Sequence, residues 1–418
     1  MRSVKARSND SVEDISRRNY GSSLYAQSII EANPNVDFNR LQDGQVVVLP
    51  SSSRIDTTHS LDVNDDDVVI HINNRTYVVW DNFSLKTNFG TLADMFSFRV
   101  PFFPDDAEQR ETFRPFSYKT VIIYFGQTKM LTGTMLNIEP TLDSSNEVLV
   151  SGYGRCGILG DVTFSPKQYP IEYNEASLLT ITENALRPFG LSVSFTEAAK
   201  SSVSAVNTSS AFSRVIAEPT ANIASFLNKL ASKQGVVLHS DRDGNVLYDK
   251  ASKGKAVFEI IEGTPPLLKA TASYNGQKRY SHLTALSQEW HGSVHDKLTV
   301  TDKEAIKRGI FRPYTILPKD VDDGQLNTIL SSQMGRNLSD AAPMSITVST
   351  WHKPDGNVFV KNESMFLTAP SIMIYRKTEL FISGVSYERS SNSNIAVLSL
   401  SLPESFGGKE QIRPWEEA

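Results

Sequence analysis

The spacing of apolar residues changes along the chain, and each change predicts a different kind of element. In the first fifty residues the pattern is helical and brief. Asp10 or Ser11 stands ahead of the apolar positions of NDSVEDI, Glu13 or Asp14 follows three residues later to complete a capping box, and Gly21 comes near the end. SSLYAQSIIEANP predicts a second short helix with Ile29 and Ile30 turned inward, stopped by Asn33 and Pro34. DGQVVVL predicts a strand after an Asp-Gly turn, so residues 1–52 read strand, helix, helix, strand. Residues 53–67 are polar and acidic without hydrophobic period, the composition of a linker.

From 68 to 165 the period becomes two. MFSFRVPF places Phe96, Phe98, Val100 and Phe102 on one face, and TVIIYFGQTKMLTG reads as two strands around a Gly-Gln turn, which predicts an antiparallel β domain. Residues 166–266 mix periods. EASLLTITENALRPFG and TANIASFLNKLASKQG are helical, the second with Ile223, Phe226, Leu227 and Leu230 on one stripe and Gly235 at its end. VVLHSDRDGNVLYD then reads as a hairpin over an Asp-Gly turn, making this an α+β module. Strands return over 267–406, where Leu398, Leu400 and Leu402 alternate, and residues 407–418 read as a flexible tail after Gly-Gly, with Trp415 an exposed aromatic able to anchor a partner.

The first β region has an echo in the last. TKMLTGTMLNIEPTLDSSNEVLVSG and TELFISGVSYERSSNSNIAVLSLSL both carry a strand ending in Thr or Ser before glycine (Gly133, Gly384), a second strand, a Ser-Asn turn (Asn146, Asn394) and a third strand containing Val-Leu. Two readings stay open, a chance likeness between β-meanders or two copies of one β domain.

Composition narrows the function classes. The 418 residues suffice for two to four domains, each with its own core. No apolar run approaches the roughly 20 residues that cross a bilayer, and no secretory signal pattern opens the chain, so no membrane anchor is expected. A net charge of -5 lacks the basic footprint of a nucleic-acid binder. The single cysteine, Cys156, excludes an internal disulfide framework and a cysteine-rich metal knuckle, and predicts core packing.

Candidate chemistry is sparse. His291 and His295 in HGSVH have the spacing of two zinc ligands, but Gly292 replaces the expected glutamate and strands flank the pair. HSDRDGNVLYDK has a calcium-loop start at Asp241, Asp243 and Gly244, yet Lys250 stands where a bidentate glutamate is needed. GYGRCG is glycine-rich without a following helix, and no nucleophile elbow or P-loop is present. No catalytic residue, metal or cofactor is assigned, and the chain is read as no enzyme.

Two resemblances organise these observations. Residues 4–50 resemble a LysM domain through NDS, Ile15, Tyr20-Gly21, EANP, Leu41, Gly44-Gln45 and Pro50, with Asn9 where the family usually has glycine. The resemblance implies a shallow groove formed by Asn9, Asp10 and Ser11 with Asn33, Pro34, Asn35 and Val36, serving either peptidoglycan contact or docking onto a neighbouring tail protein. Residues 68–406 resemble the baseplate hub family of contractile-tailed phages, the Mu-like hub or late control protein D group. WDNFSLKTNFGTLADMFSFRV, TANIASFLNKLASKQGVVLHSDRDGNVLY and RPYTILPKDVDDGQLNTILSSQMGRN followed by ITVSTWHKPDGNVFVKNESMFLTAP carry it, in family order.

That second resemblance implies a mainly β fold with an α+β insert: a βααβ LysM-like domain, two related antiparallel β-barrel, tube-like domains and the middle α+β module. It also implies a homotrimer whose six barrels match a sixfold tail tube to a threefold central spike and line a DNA conduit. The expected partners are the tail tube protein, the spike, wedge proteins and a tape-measure protein, in the tail baseplate of a virion assembled in the host cytoplasm. Two alternatives remain: a LysM-targeted peptidoglycan hydrolase, and the hub of a contractile bacteriocin or type VI-like secretion device.

Overall fold

The computed structural model describes residues 2–8, 10–20, 26–49, 66–73, 75–79, 82–141, 147–200, 212–218, 220–251, 256–288, 294–318, 325–390, 393–403 and 413–415. The expected linker up to residue 65, together with Asn9, Gly21, Pro50, Trp80, Asn146 and His291, lies outside them. The fold is mainly β and falls into two compact units: residues 1–85, 95–155 and 387–394, and residues 86–94, 156–386 and 395–418. No helix among the described residues is long and apolar enough to cross a membrane.

The first unit opens with β1 (Arg2–Lys5), α1 (Val12–Tyr20), α2 (Ala26–Ala32) and β2 (Val46–Leu49), with β1 and β2 antiparallel. Ser11 caps α1: its hydroxyl accepts from the Asp14 N–H at 3.1 Å, while the Asp14 carboxylate accepts from the Ser11 N–H at 3.1 Å. Ile15, Ile29, Val47 and Leu49 form the core of this βααβ module, against which Phe103 packs. Ile29 is fully buried, but Ile30 is 38% exposed rather than turned inward, because adjacent helical positions lie about 100° apart. Gly44 takes the left-handed turn (φ 82°) that the Asp-Gly pair predicts.

The same unit continues with β3 (Val68–Ile72), β4 (Arg75–Val79), the first half of β5 (Phe83–Asn88), β6 (Met95–Pro101), α3 (Ala107–Thr112), β7 (Thr120–Phe125), β8 (Thr128–Thr141) and β9 (Glu147–Gly154). The antiparallel order is β6-β9-β8-β7-β3-β4. Period two decides which face is buried: Phe96, Phe98 and Val100 point inward, as do Val121, Ile123 and Phe125, whereas Met95 is exposed. Phe102 lies past the end of β6 and is only half-buried, edge-on to Phe113. Gly133 and Gly152 sit under the Phe96 ring, where a Cβ would collide with ring and backbone.

In the second unit, α4 (Ile158–Asp161), β10 (Glu172–Ala176), α5 (Leu178–Leu186), β11 (Val193–Phe195), α6 (Glu197–Lys200), β12 (Phe212–Ile216), α7 (Ile223–Lys233), β13 (Val237–Ser240) and β14 (Val246–Asp249) build the α+β module. Ser177 and Asn222 cap α5 and α7 through bonds to the Thr180 and Ser225 N–H groups. The α7 stripe of Ile223, Phe226, Leu227 and Leu230 is buried in one core with Ile181 and Ala185 of α5 and with Leu238 and Tyr248 of the hairpin.

The unit then runs through β15 (Glu259–Ile261), β16 (Leu267–Ala272), β17 (His282–Gln288), β18 (Val294–Thr301), α8 (Lys303–Lys307), β19 (Pro313–Ile316), α9 (Gln325–Ala341), β20 (Met344–Val348), β21 (Glu363–Ala369), β22 (Ile374–Ser390) and β23 (Ser393–Ser401). β16-β20-β23-β22 are neighbours, with β21 joining β22 to β15. The strands β17 to β19 do not join this sheet. They form their own three-stranded sheet, closed by α9, whose Leu330 packs with Leu283 and Ala285, so the expected single β region of 267–406 contains an inserted α+β subdomain. Alternation alone marks a strand without saying which sheet receives it.

Candidate functional site

The residues of the expected N-terminal groove divide into two kinds. Asp10 accepts two bonds from the Arg18 guanidinium, at 3.0 and 2.7 Å, and one from the Arg7 N–H at 2.8 Å. Burial works against its charge, yet these donors hold the carboxyl below its usual range. Ser11 is occupied by the α1 cap. Asn33 is buried, and its amide donates to the Ile29 and Val48 carbonyls at 2.8 and 2.6 Å while accepting from the Val48 N–H at 2.8 Å. These three side chains hold the module together. Pro34 and Asn35 are exposed and Val36 is half-buried, so the surface of the stretch is theirs.

Two buried carboxylates elsewhere, Asp94 and Asp249, are fully engaged by protein donors. In the second unit Asp94 receives the Lys361 ammonium on both carboxylate oxygens, the Ser240 hydroxyl at 2.8 Å and the Asn88 N–H at 3.1 Å. Asp249 takes Thr196 at 2.6 Å and Asn362 at 2.6 Å, with the His239 ring nitrogen at 3.3 Å. Burial opposes its charge, but these hydrogen bonds keep its carboxyl below the ordinary range. Both carboxylates spend both oxygens on protein donors, the arrangement of a structural lock. Cys156 is buried, its thiol 3.2 Å from the Leu92 carbonyl and pushed up to about 12 by burial, which makes it a poor nucleophile.

The motifs that mimic metal sites resolve into strands and turns. Asp241 caps the β13–β14 hairpin, accepting from the Asn245 N–H at 2.8 Å, with Gly244 at φ 78°. Of the HGSVH pair, His295 lies in β18 and His291 is outside the described residues. Among the described residues no group of three or more His, Cys, Asp or Glu side chains is placed to hold a metal ion.

Two features escaped sequence reasoning. Phe116 and Tyr118 stand 82% and 63% exposed on a loop of the first unit, each with left-handed backbone (φ 59° and 49°), a conformation bulky residues rarely adopt. FRPFSYK carries no period that would have marked them. The expected flexible tail, in contrast, is docked at Arg413–Trp415: Arg413 and Pro414 are buried, the Pro414 carbonyl accepts from the Tyr375 N–H at 3.3 Å, and Trp415 meets Tyr274 edge-on at 5.2 Å. A charged, glycine-preceded stretch reads as disordered until the pockets that receive its Pro and Trp are formed.

No protein-family model matches the chain, and no curated protein matches it in sequence. Its fold is that of solved phage tail proteins. The 43 kDa tail protein of prophage MuSo2 from Shewanella oneidensis is 20% identical, with 81% of this chain and 99% of that one covered and a TM-score of 0.67. The tail protein from Neisseria meningitidis MC58 is 16% identical over 81% and 97% of the two chains, also with a TM-score of 0.67. The E. coli c3393 protein, a component of the type VI secretion system with structural similarity to the T4 bacteriophage tail proteins gp27 and gp5, is 10% identical over 82% and 79%, with a TM-score of 0.51.

Proposed function

We propose that this chain is a structural hub protein of a contractile phage tail, forming a trimeric, pseudo-sixfold ring that joins the tail tube to the central spike and lines the DNA conduit. The observation that carries this reading is the fold shared with tail proteins over nearly their whole length. The hairpin echo supports it. β8–β9 and β22–β23 are each a long strand, of 14 and 17 residues, paired to a shorter one, and the long strands carry Gly133 and Gly384 at positions where a Cβ has no room. Two related barrel domains per chain give a threefold assembly six similar surfaces, which is what a sixfold tube requires.

The tube protein, spike, wedge and tape-measure proteins are its proposed partners, and the virion tail baseplate is its proposed location. The βααβ module is read as LysM-like, with docking onto a tail protein favoured over glycan contact, because Asp10, Ser11 and Asn33 are already bonded within the module. The hub of a secretion device is a second reading, favoured by the likeness to the type VI component. We assign the chain no bond-making or bond-breaking role.

Sedimentation of the full chain tests the assembly, with three chains per particle expected and a strict monomer overturning it. A peptidoglycan zymogram with the same preparation should show no clearing. A pull-down of the full chain on purified peptidoglycan separates docking from glycan contact: retention that Asn35→Ala abolishes would establish glycan contact.

A further inference from the structure

The inserted subdomain between β16 and β20 carries a surface that its own fold leaves uncovered. Every residue from 306 to 315 is exposed, including Ile306, Ile310, Phe311 (75%) and Tyr314 (44%), and Leu317 follows at 49%. The aromatic members are ordered against one another. Tyr280 stacks on Tyr314 with centroids 4.6 Å apart, and the His282 ring meets Phe311 at 5.5 Å. β19, which carries Tyr314, is the terminal strand of its sheet among the described residues, so the patch adjoins an open strand edge. Isolated exposed apolar residues are ordinary, but a contiguous set of aromatic and aliphatic side chains beside an open edge marks an interaction site.

The charge around this patch is opposite to that of the chain. Lys278, Lys303, Lys307 and Arg312 are exposed, and no carboxylate among the described residues pairs with them. The local acids are already engaged: Asp302 by Arg279, and Glu304 by Arg279, Arg308 and Arg413. The chain as a whole carries 47 acidic against 42 basic residues, so the surface outside this patch is more acidic still.

We propose that the face formed by residues 306–317 and Tyr280 seats against a second copy of this chain, its lysine and arginine rim meeting acidic surface on that copy. This rests on the ring reading above and names the surface that builds the ring. Ile306, Ile310 and Leu317 offer nothing for a base to stack on, whereas aromatic and aliphatic side chains with an arginine at the rim are the composition of a protein interface core. Cationic residues at the edge then steer and orient the encounter between otherwise acidic subunits.

The test is sedimentation velocity on the full chain, comparing wild type with Phe311→Asp/Tyr314→Asp and with Lys303→Glu/Lys307→Glu. The wild type should sediment as an oligomer. The aromatic variant should sediment as a monomer with an unchanged far-UV circular dichroism spectrum. The lysine variant should associate at least tenfold more weakly at low salt, the difference narrowing in concentrated salt. An oligomeric wild type whose two variants assemble equally well overturns this surface and leaves the ring reading intact, while a monomeric wild type overturns both. Fluorescence anisotropy with a short DNA duplex supplies the rival outcome: binding lost in both variants with assembly unchanged would assign the patch to nucleic acid.

Discussion

Arg279 grips Asp302 with two guanidinium nitrogens, 2.7 and 3.2 Å from its two carboxylate oxygens, while Asp302 caps α8 through the Glu304 and Ala305 N–H groups at 3.1 Å each. The first unit repeats the device. Arg75 grips Asp106 at 3.1 and 3.2 Å, and Asp106 caps α3 through Glu108 and Gln109. In both places the capping aspartate opens an Asp-x-Glu sequence, and one arginine reaches both acids. A cap worth about 1 kcal/mol and a charge-assisted pair worth about 2 predict that Asp302→Ala costs roughly 2–3 kcal/mol in urea unfolding.

The same aspartates set an acid limit. Burial raises the Asp302 carboxyl, but Arg279 and the Ala305 N–H outweigh it and hold the group below its ordinary 3.8; Asp106 is held low in the same way by Arg75 and Gln109. A carboxyl depressed in the folded state stabilises fully above its unfolded value, about 3.9, and loses that contribution as pH falls through the folded value. Thermal melts of wild type and Asp302→Asn should therefore differ most above about pH 4 and converge in stronger acid. A gap that widens with acidification would contradict the assignment.

Lys361 and Asp94 are both largely buried, with the ammonium 2.8 and 2.9 Å from the two carboxylate oxygens. Removing one partner strands the other charge, so Lys361→Met should destabilise by about 3–5 kcal/mol. Adding Asp94→Leu should recover only part of that loss, because Ser240 and Asn88 then lose their acceptor, and a double-mutant cycle in urea measures the recovery.

Gly133 gives the sheet no freedom to accept a side chain. A Cβ there would lie 2.5 Å from the Tyr153 carbonyl oxygen and 2.9 Å from the Phe96 ring. Gly133→Ala should cost roughly 2–3 kcal/mol by overpacking, and adding Phe96→Leu should restore part of it if the ring is the principal obstacle. Equal melting temperatures for wild type and Gly133→Ala would show that the strands can part.

Asn33 and Asn35 should behave oppositely. Asn33→Ala leaves the Ile29 and Val48 carbonyls and the Val48 N–H without their partner, a loss of about 2–4 kcal/mol confined to the βααβ module and visible in hydrogen exchange of β2. Asn35→Ala touches an exposed side chain and should leave that exchange unchanged.

What the sequence determined by itself is local. The cap at Ser11, left-handed turns at Gly44, Gly126 and Gly244, and the stripe on α7 all depend on neighbours a few residues away, so they were legible from types and spacing. The paired glycines of the two long strands were visible as an echo, although their reason, a close approach by Phe96 or by Asn88, was not.

Tertiary structure alone decided which sheet each strand joins, and so separated β17 to β19 from the sheet that β16 and β20 share. It committed Asn33 to internal bonds, because a side chain's partner can lie fifteen residues away, as Val48 does from Asn33. It docked Trp415 on Tyr274 and left Phe311 and Tyr314 uncovered. Apolar character records that a side chain gains from leaving water; only the assembled backbone determines whether this chain offers it a place to do so.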